Sequence, residues 1–316
     1  VEVLRAIREK VGPDFPVWTR MNAREDGIED GLTLEDSRQI ARMAQEAGAD
    51  ASDVSAWGND APGKKPGDIM HLARAIKQAV TVPVMAVGGR MTPEVAEQAL
   101  RENMVDIAMI GRGLITDPEY VNKVAEGRAE DIRPCINCWQ CIPEEHFTGT
   151  GRWDQKQSIH CAVNADMGHE REHEIKPAET PLRIVVIGGG LAGMEAARVA
   201  PLRGHRVILF EASSELSKLL PAAAESAGRY IGKLNRYLAR QIVKLGVDIR
   251  LNTRVSDDLI LSLKPDRIIL ATESTPMSKL FESLKGSVPD IHRIGDSVEA
   301  KNTRQMIHEA ARIGRI

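Results

Sequence analysis

Pro181-Leu-Arg-Ile184-Val-Val-Ile187-Gly188-Gly189-Gly190-Leu-Ala-Gly193 is the stretch on which the reading of this chain turns. The apolar run from Ile184 to Ile187 is short and unbroken, as expected of a strand buried on both faces. Glycines follow it at once, and a helix is expected to run from them to Leu202, where Gly204 stops it. Arg206 to Phe210 reads as the next strand, with Glu211 at its C-terminal end. A lone G-x-G-x-x-G says little. Strand, glycine loop, helix, second strand and terminal acid in this order form the dinucleotide-binding fingerprint. Gly188 is expected to make the turn, Gly190 to let a pyrophosphate approach the helix N-terminus, and Gly193 to allow close helix–strand packing. Glu211 would take ribose hydroxyls, which disfavours a 2′-phosphate there. Further on, Asp266 to Thr272 reads as a strand, Ile294-Gly295-Asp296 ends a short one, and Thr303 to Gly314 reads as a closing helix. Asp296 at such a loop can receive ribityl or ribose hydroxyls, although Gly-Asp is also an ordinary turn.

Upstream, residues 1–133 alternate short apolar runs with amphipathic helices. Strands are expected at Pro16 to Met21, Asp50 to Ser55, Val82 to Val87 and Val105 to Ile110. Helices are expected at Thr33 to Ala47, Asp68 to Ala79 and Thr92 to Asn103, the first capped by Thr33 and ended by Gly48, the last capped by Thr92 with Pro93 behind it. Such alternation implies right-handed βαβ units and a parallel sheet, the C-terminal half of a (β/α)8 barrel. Gly88-Gly89-Arg90 follows the third strand and Gly111-Arg112-Gly113 the fourth. In a full barrel, the loops after the last two strands commonly build a phosphate site, and arginine adds charge and forked donors. The same glycines could instead serve only tight turns. A closed barrel has eight strands, so an absent first half, or another chain supplying it, is expected. The opening run from Val1 to Lys10 has helical spacing but no initiator Met or N-cap and reads as the middle of an element.

Between these regions lie all four cysteines: Cys135-Ile-Asn-Cys138-Trp-Gln-Cys141, and then Cys161. C-x2-C-x2-C with one remote partner is the spacing of a [4Fe–4S] cluster. Structural zinc more often takes two separated C-x2-C pairs, and plain thiols are a third reading. No apolar signal segment opens the chain and it is not a small secreted scaffold, which argues against disulfides. Clustered cysteines then point to a metal site in a reducing, cytoplasmic compartment.

The bulk properties agree. A length of 316 residues suits about two domains, and a net charge of −3 with 28% charged residues implies no nucleic-acid surface. No run of eighteen apolar residues occurs, so no membrane span is expected. Aromatics are only 3%, so the core must rest on aliphatic side chains, in keeping with α/β architecture.

Taken in order, these pieces resemble the iron–sulfur branch of the old yellow enzyme-like flavoproteins, which includes 2,4-dienoyl-CoA reductase and trimethylamine dehydrogenase. The matching residues are Gly88-Gly89-Arg90, Gly111-Arg112 with Asp117-Pro118, Arg133-Pro134-Cys135, the other three cysteines with Asn164, Gly188 to Gly193, Glu211, and Gly295-Asp296 with Ile307-His308-Glu309. The resemblance implies FMN in the barrel segment 1–133, a [4Fe–4S] cluster on Cys135, Cys138, Cys141 and Cys161 in segment 134–180, and FAD or ADP in segment 181–316. It also implies that Arg20, on the first visible strand, approaches the FMN ring. Several family features are missing. No second glycine fingerprint for an NAD(P)H subdomain lies between Glu211 and Gly295, the usual Gly-Gly reads Leu216-Ser217-Lys218-Leu219, and the usual Ala-Thr-Gly reads Ala271-Thr272-Glu273. Ser55-Ala-Trp57-Gly58-Asn59 holds no histidine for proton donation, so no catalytic residue is assigned.

The function implied is a flavin- and iron–sulfur-dependent oxidoreductase, whole or a fragment, performing NAD(P)H-linked reduction of an activated C=C such as an enoyl substrate. Two alternatives stand beside it: an amine dehydrogenase or N-demethylase passing electrons through the cluster to an external carrier, and a non-catalytic electron-transfer subunit or inactive fragment. A small-molecule substrate and an oligomer are expected, the latter because open sheet edges seek partners.

Overall fold

The computed structural model describes residues 1–58, 67–88, 91–141, 159–216, 225–272, 277–299 and 301–316. The chain divides into two compact units, Val1–Leu114 and Ile115–Ile316.

In the first unit, helix α1 (Glu2–Val11) precedes strand β1 (Trp18–Asp26), helix α2 (Leu34–Glu46), strand β2 (Ala51–Gly58), helix α3 (Met70–Lys77), strand β3 (Val84–Val87), helix α4 (Pro93–Arg101) and strand β4 (Ile107–Met109). The four strands are parallel, in the order β1-β2-β3-β4. Thr33 caps α2 in a full capping box with Asp36, and Thr92 caps α4 with Pro93 behind it. The first strand runs longer than its apolar pattern suggests. Its polar end, Glu25 and Asp26, still pairs with Trp57 and Gly58 after a register shift. Helix α3 is two residues shorter than expected at each end, and Ile69 at its N-cap offers no side-chain acceptor. Met21, Ala23, Val54, Ala56, Val84 and Ala86 face the helices and meet Ala41, Ile69, Leu72, Ala73 and Ile76.

The second unit opens with two short helices, α5 starting in the first unit (Arg112–Thr116) and α6 (Tyr120–Ala125). After the cysteine segment come strand β5 (Arg183–Ile187), helix α7 (Leu191–Leu202), strand β6 (Arg206–Phe210), helix α8 (Glu225–Lys244), strand β7 (Asp248–Arg250), helix α9 (Asp257–Ser262), strand β8 (Arg267–Leu270), helix α10 (Met277–Leu284), strand β9 (Asp290–Arg293) and helix α11 (Thr303–Gly314). The sheet is parallel in the order β7-β6-β5-β8-β9. Successive strands run outward to one side of β5 and then to the other. The strand order therefore reverses at β5, which is where α/β sheets open a crevice for ligands. One face packs on α7, α8 and α11, and the same core takes in Ile136, Cys161, Ala162 and Val163 of the cysteine segment. The other face buries Val185, Ile187, Phe210 and Ile268 with Ile260 and Leu284 of α9 and α10. Among the described residues, no helix is long and apolar enough to cross a membrane.

Candidate functional site

The glycine loop after β5 is sterically determined. Gly188 has φ +109, and a Cβ there would lie 2.5 Å from the Ala271 carbonyl oxygen. A Cβ on Gly193 would lie 1.8 Å from the Gly188 carbonyl oxygen, so only glycine lets α7 approach the loop this closely. Gly190 differs: a Cβ there would meet nothing within 4 Å. It is the N-cap of α7 and supplies no side-chain cap, which leaves the first N–H groups of the helix open to an anion. The space in front of Gly190 is open.

Glu211 stands at the end of β6. Its Oε2 accepts the Gly189 N–H at 2.7 Å, and its Oε1 accepts the Ser213 N–H and hydroxyl, each at 2.8 Å. The acid is thus tied to the glycine loop and held in one orientation. Gly295 (φ +61) begins a 3-10 turn, Gly295–Ser297, and a Cβ on it would lie 3.0 Å from Ala192 Cβ on α7. This brings the Gly295-Asp296 loop beside the first turn of α7. The Gly295 N–H donates to Glu309 Oε2 at 2.8 Å, Lys301 Nζ donates to the same oxygen at 2.8 Å, and Asp296 Oδ1 accepts the Lys301 N–H at 2.9 Å. Gly188, Gly190, Gly193, Glu211, Gly295 and Asp296 therefore gather at the C-terminal end of the second sheet.

The cysteine segment is fastened to this sheet by polar contacts among residues far apart in sequence. Arg133, two residues before Cys135, donates to the Val163 carbonyl, two residues after Cys161. Its own N–H donates to Asp117 Oδ2 at 2.7 Å, and its guanidinium sits over the Tyr237 ring at 5.6 Å. On α7, the buried Glu195 takes a bidentate pair from Arg198 at 2.7 and 2.8 Å, with Arg133 3.7 Å away. Burial pushes the Glu195 carboxyl up, but the Arg198 and Arg133 charges and the Arg198 hydrogen bonds together outweigh it and hold the pKa below the ordinary value. Asn164 Nδ2 donates to the Ile115 carbonyl at 2.9 Å, and His308 Nε2 on α11 bonds the Cys161 carbonyl at 2.7 Å.

None of the four cysteines is joined in a disulfide; Cys161 is buried and Cys138 exposed. Burial pushes the Cys161 thiol up, the Val163 and Asn164 N–H groups pull it down, and the nearby Cys135 and Cys138 raise it again. Cys135 Sγ accepts the Asn137 N–H at 3.4 Å. Asn137 (φ 53) and Trp139 (φ 61) are both left-handed, an arrangement that curls the run from Cys135 to Cys141. Such backbone costs about 1–3 kcal/mol for a bulky residue and tends to mark ligand clamps. N–H groups aimed at sulfur suit a thiolate–metal set in kind. Among the described residues, no group of three or more His, Cys, Asp or Glu is drawn tightly enough to hold a metal ion.

In the first unit, Arg20 lies on β1 with its guanidinium 3.3 Å from Asp53 on β2. Gly88 (φ +131) follows β3, and Gly111 comes after the neighbouring β4 with open space around it. Arg112 begins α5. Gly89 and Arg90 lie outside the described residues, as do Ser217, Lys218, Leu219 and Glu273. Sequence reasoning missed Asp53, Glu195, Arg198 and the placement of His308. Nothing in a linear pattern pairs Arg133 with Val163. A charged Glu195 inside an Ala-rich helix was the available signal for a buried pair.

Residues 1–131 match the NADH:flavin oxidoreductase / NADH oxidase family, and residues 150–261 match the pyridine nucleotide-disulphide oxidoreductase family. The NADH oxidase of Thermoanaerobacter brockii is 36% identical over 324 residues, covering 99% of this chain and 48% of that protein. The N,N-dimethylglycine/sarcosine dehydrogenase of Chromohalobacter salexigens is 34% identical over 292 residues, covering 87% of this chain and 41% of that protein. A solved complex of 2-naphthoyl-CoA reductase with 2-naphthoyl-CoA superposes with a TM-score of 0.86 at 24% identity, covering 99% of this chain and 67% of that one, and shares its fold. The chain spans about half the length of the curated relatives it matches.

Proposed function

The chain belongs to the old yellow enzyme-like flavoproteins that include 2,4-dienoyl-CoA reductase and trimethylamine dehydrogenase, and from that premise we propose an NAD(P)H-linked, flavin- and iron–sulfur-dependent reductase of activated C=C bonds, such as those of enoyl compounds. The observation that carries the proposal is the joining of a nucleotide cradle at Gly190 and a curled four-cysteine segment on one hydrophobic core. Gly188, Gly190 and Gly193 would receive the pyrophosphate of FAD or ADP, and Glu211 and Asp296 its hydroxyls. Cys135, Cys138, Cys141 and Cys161 would hold a [4Fe–4S] cluster, with the Asn137, Val163 and Asn164 N–H groups stabilising thiolate. In the first unit, Gly88, Gly89, Arg90, Gly111 and Arg112 would bind the FMN phosphate, with Arg20 directed to the ring. Bound flavin supplies hydride chemistry that no side chain can provide. The protein's part is to hold it, exclude water and set the local charge.

A second reading has its own support in the 34% identity to N,N-dimethylglycine/sarcosine dehydrogenase. In that case electrons would leave an amine substrate and pass through the cluster to an external carrier. Anaerobic titration of the purified protein separates the two. Bleaching of flavin absorbance by NADH, reversed by an enoyl thioester, supports the reductase. Bleaching by N,N-dimethylglycine without NADH supports the dehydrogenase. No response to either contradicts both.

A further inference from the structure

Side chains alternate along a strand. Because Met21, Ala23, Val54, Ala56, Val84 and Ala86 face the helices, Trp18, Arg20, Asp53, Met85 and Ile107 fall on the opposite face of the first sheet. The parallel register sets Arg20 beside Asp53, Asp53 beside Met85, and Met85 beside Ile107. Along this row, Ile107 is 48% exposed and the Arg20 side chain 57% exposed, yet the Asp53 side chain is only 5% exposed. Asp53 Oδ2 is 3.3 Å from Arg20 Nη1. Its Oδ1 is buried and has no hydrogen-bond partner among the described residues. Burial raises the Asp53 carboxyl and the Arg20 charge works against it. A half-satisfied buried acid is costly to the fold. What Asp53 does contribute is a charge beneath an exposed guanidinium, on the face where the flavin reading places the ring.

We propose that Asp53 is a positioning residue for Arg20: it anchors the guanidinium on the open face and offsets its charge, so that flavin bound there is harder to reduce. This rests on the flavin reading above. An unopposed Arg20 would favour the electron-rich reduced form, and a neighbouring carboxylate weakens that preference.

The test is the midpoint potential of bound FMN, read by dye-equilibrated reductive titration of the purified protein. Asp53→Asn should shift the equilibrium toward reduced flavin by about tenfold, roughly 30 mV upward for a two-electron couple. Arg20→Gln should lower the potential, and adding Asp53→Asn to it should change little more, because the acid acts through the arginine. An unchanged potential in Asp53→Asn, or the same shift with and without Arg20, overturns the proposal. Should Asp53→Asn fail to fold, Asp53→Ser carries the same expectation. Loss of native circular dichroism in both would assign Asp53 to sheet stability and overturn the positioning role. A parent protein that binds no FMN is a different result, read before any variant, and it removes the flavin reading together with this proposal.

Discussion

Gly190 and Gly193 stand three residues apart at the start of α7, the first as its N-cap and the second in its first turn, and make opposite demands. A Cβ on Gly193 would collide with the Gly188 carbonyl at 1.8 Å, so Gly193→Ala must push α7 off the sheet. We expect a loss of more than about 3 kcal/mol in denaturant unfolding of the second unit. A Cβ on Gly190 meets nothing, so Gly190→Ala should change stability by less than about 1 kcal/mol. It should nevertheless raise the nucleotide dissociation constant about tenfold or more, because the methyl fills the cradle in front of the helix N-terminus. Equal effects of the two variants on folding would contradict this assignment. These glycine roles were legible in the sequence because each follows from spacing relative to one strand and one helix. The role of Asp53 was not, because its significance lies in register with a strand thirty-odd residues away.

Elements were legible where they carry local signals. The Thr33 and Thr92 caps and the closing helix Thr303–Gly314 stand where their residues place them. Helices α9 and α10 and strand β7 are short and went unread, since a three-residue strand such as Asp248–Arg250 has too little periodicity to register. The link between β5 and β6 also carries a pH response. His205 is buried, and its Nδ1 lies 3.1 Å from the Leu182 N–H, which donates to it. Burial, with the Arg203 and Arg267 charges, lowers its pKa from 6.5. The folded state thus prefers neutral histidine, and a second ring proton would oppose the Leu182 N–H. This stabilisation is present above the ordinary histidine pKa and is lost as pH falls. We expect the thermal midpoint of the second unit to drop from about pH 7.5 to about pH 5.5, and His205→Gln to flatten that dependence. An equal slope in the variant would assign the response to other groups.

At the scale of the whole molecule, chemistry is divided between two units. The first presents an open sheet face, and the second joins a nucleotide cradle to the cysteine segment through one core. Fold class was readable from strand–helix alternation. The polar fastening of the cysteine segment by Arg133, Asn164 and His308 was not, because its partners lie up to 147 residues apart. On the reading proposed above, the chain brings flavin and an iron–sulfur cluster into one redox protein. The most direct test is to quantify flavin, iron and zinc in protein purified without oxygen. We expect bound flavin with about four irons per chain, and loss of the iron in Cys138→Ser. Zinc at the cysteines, or protein that carries neither iron nor flavin, would contradict it.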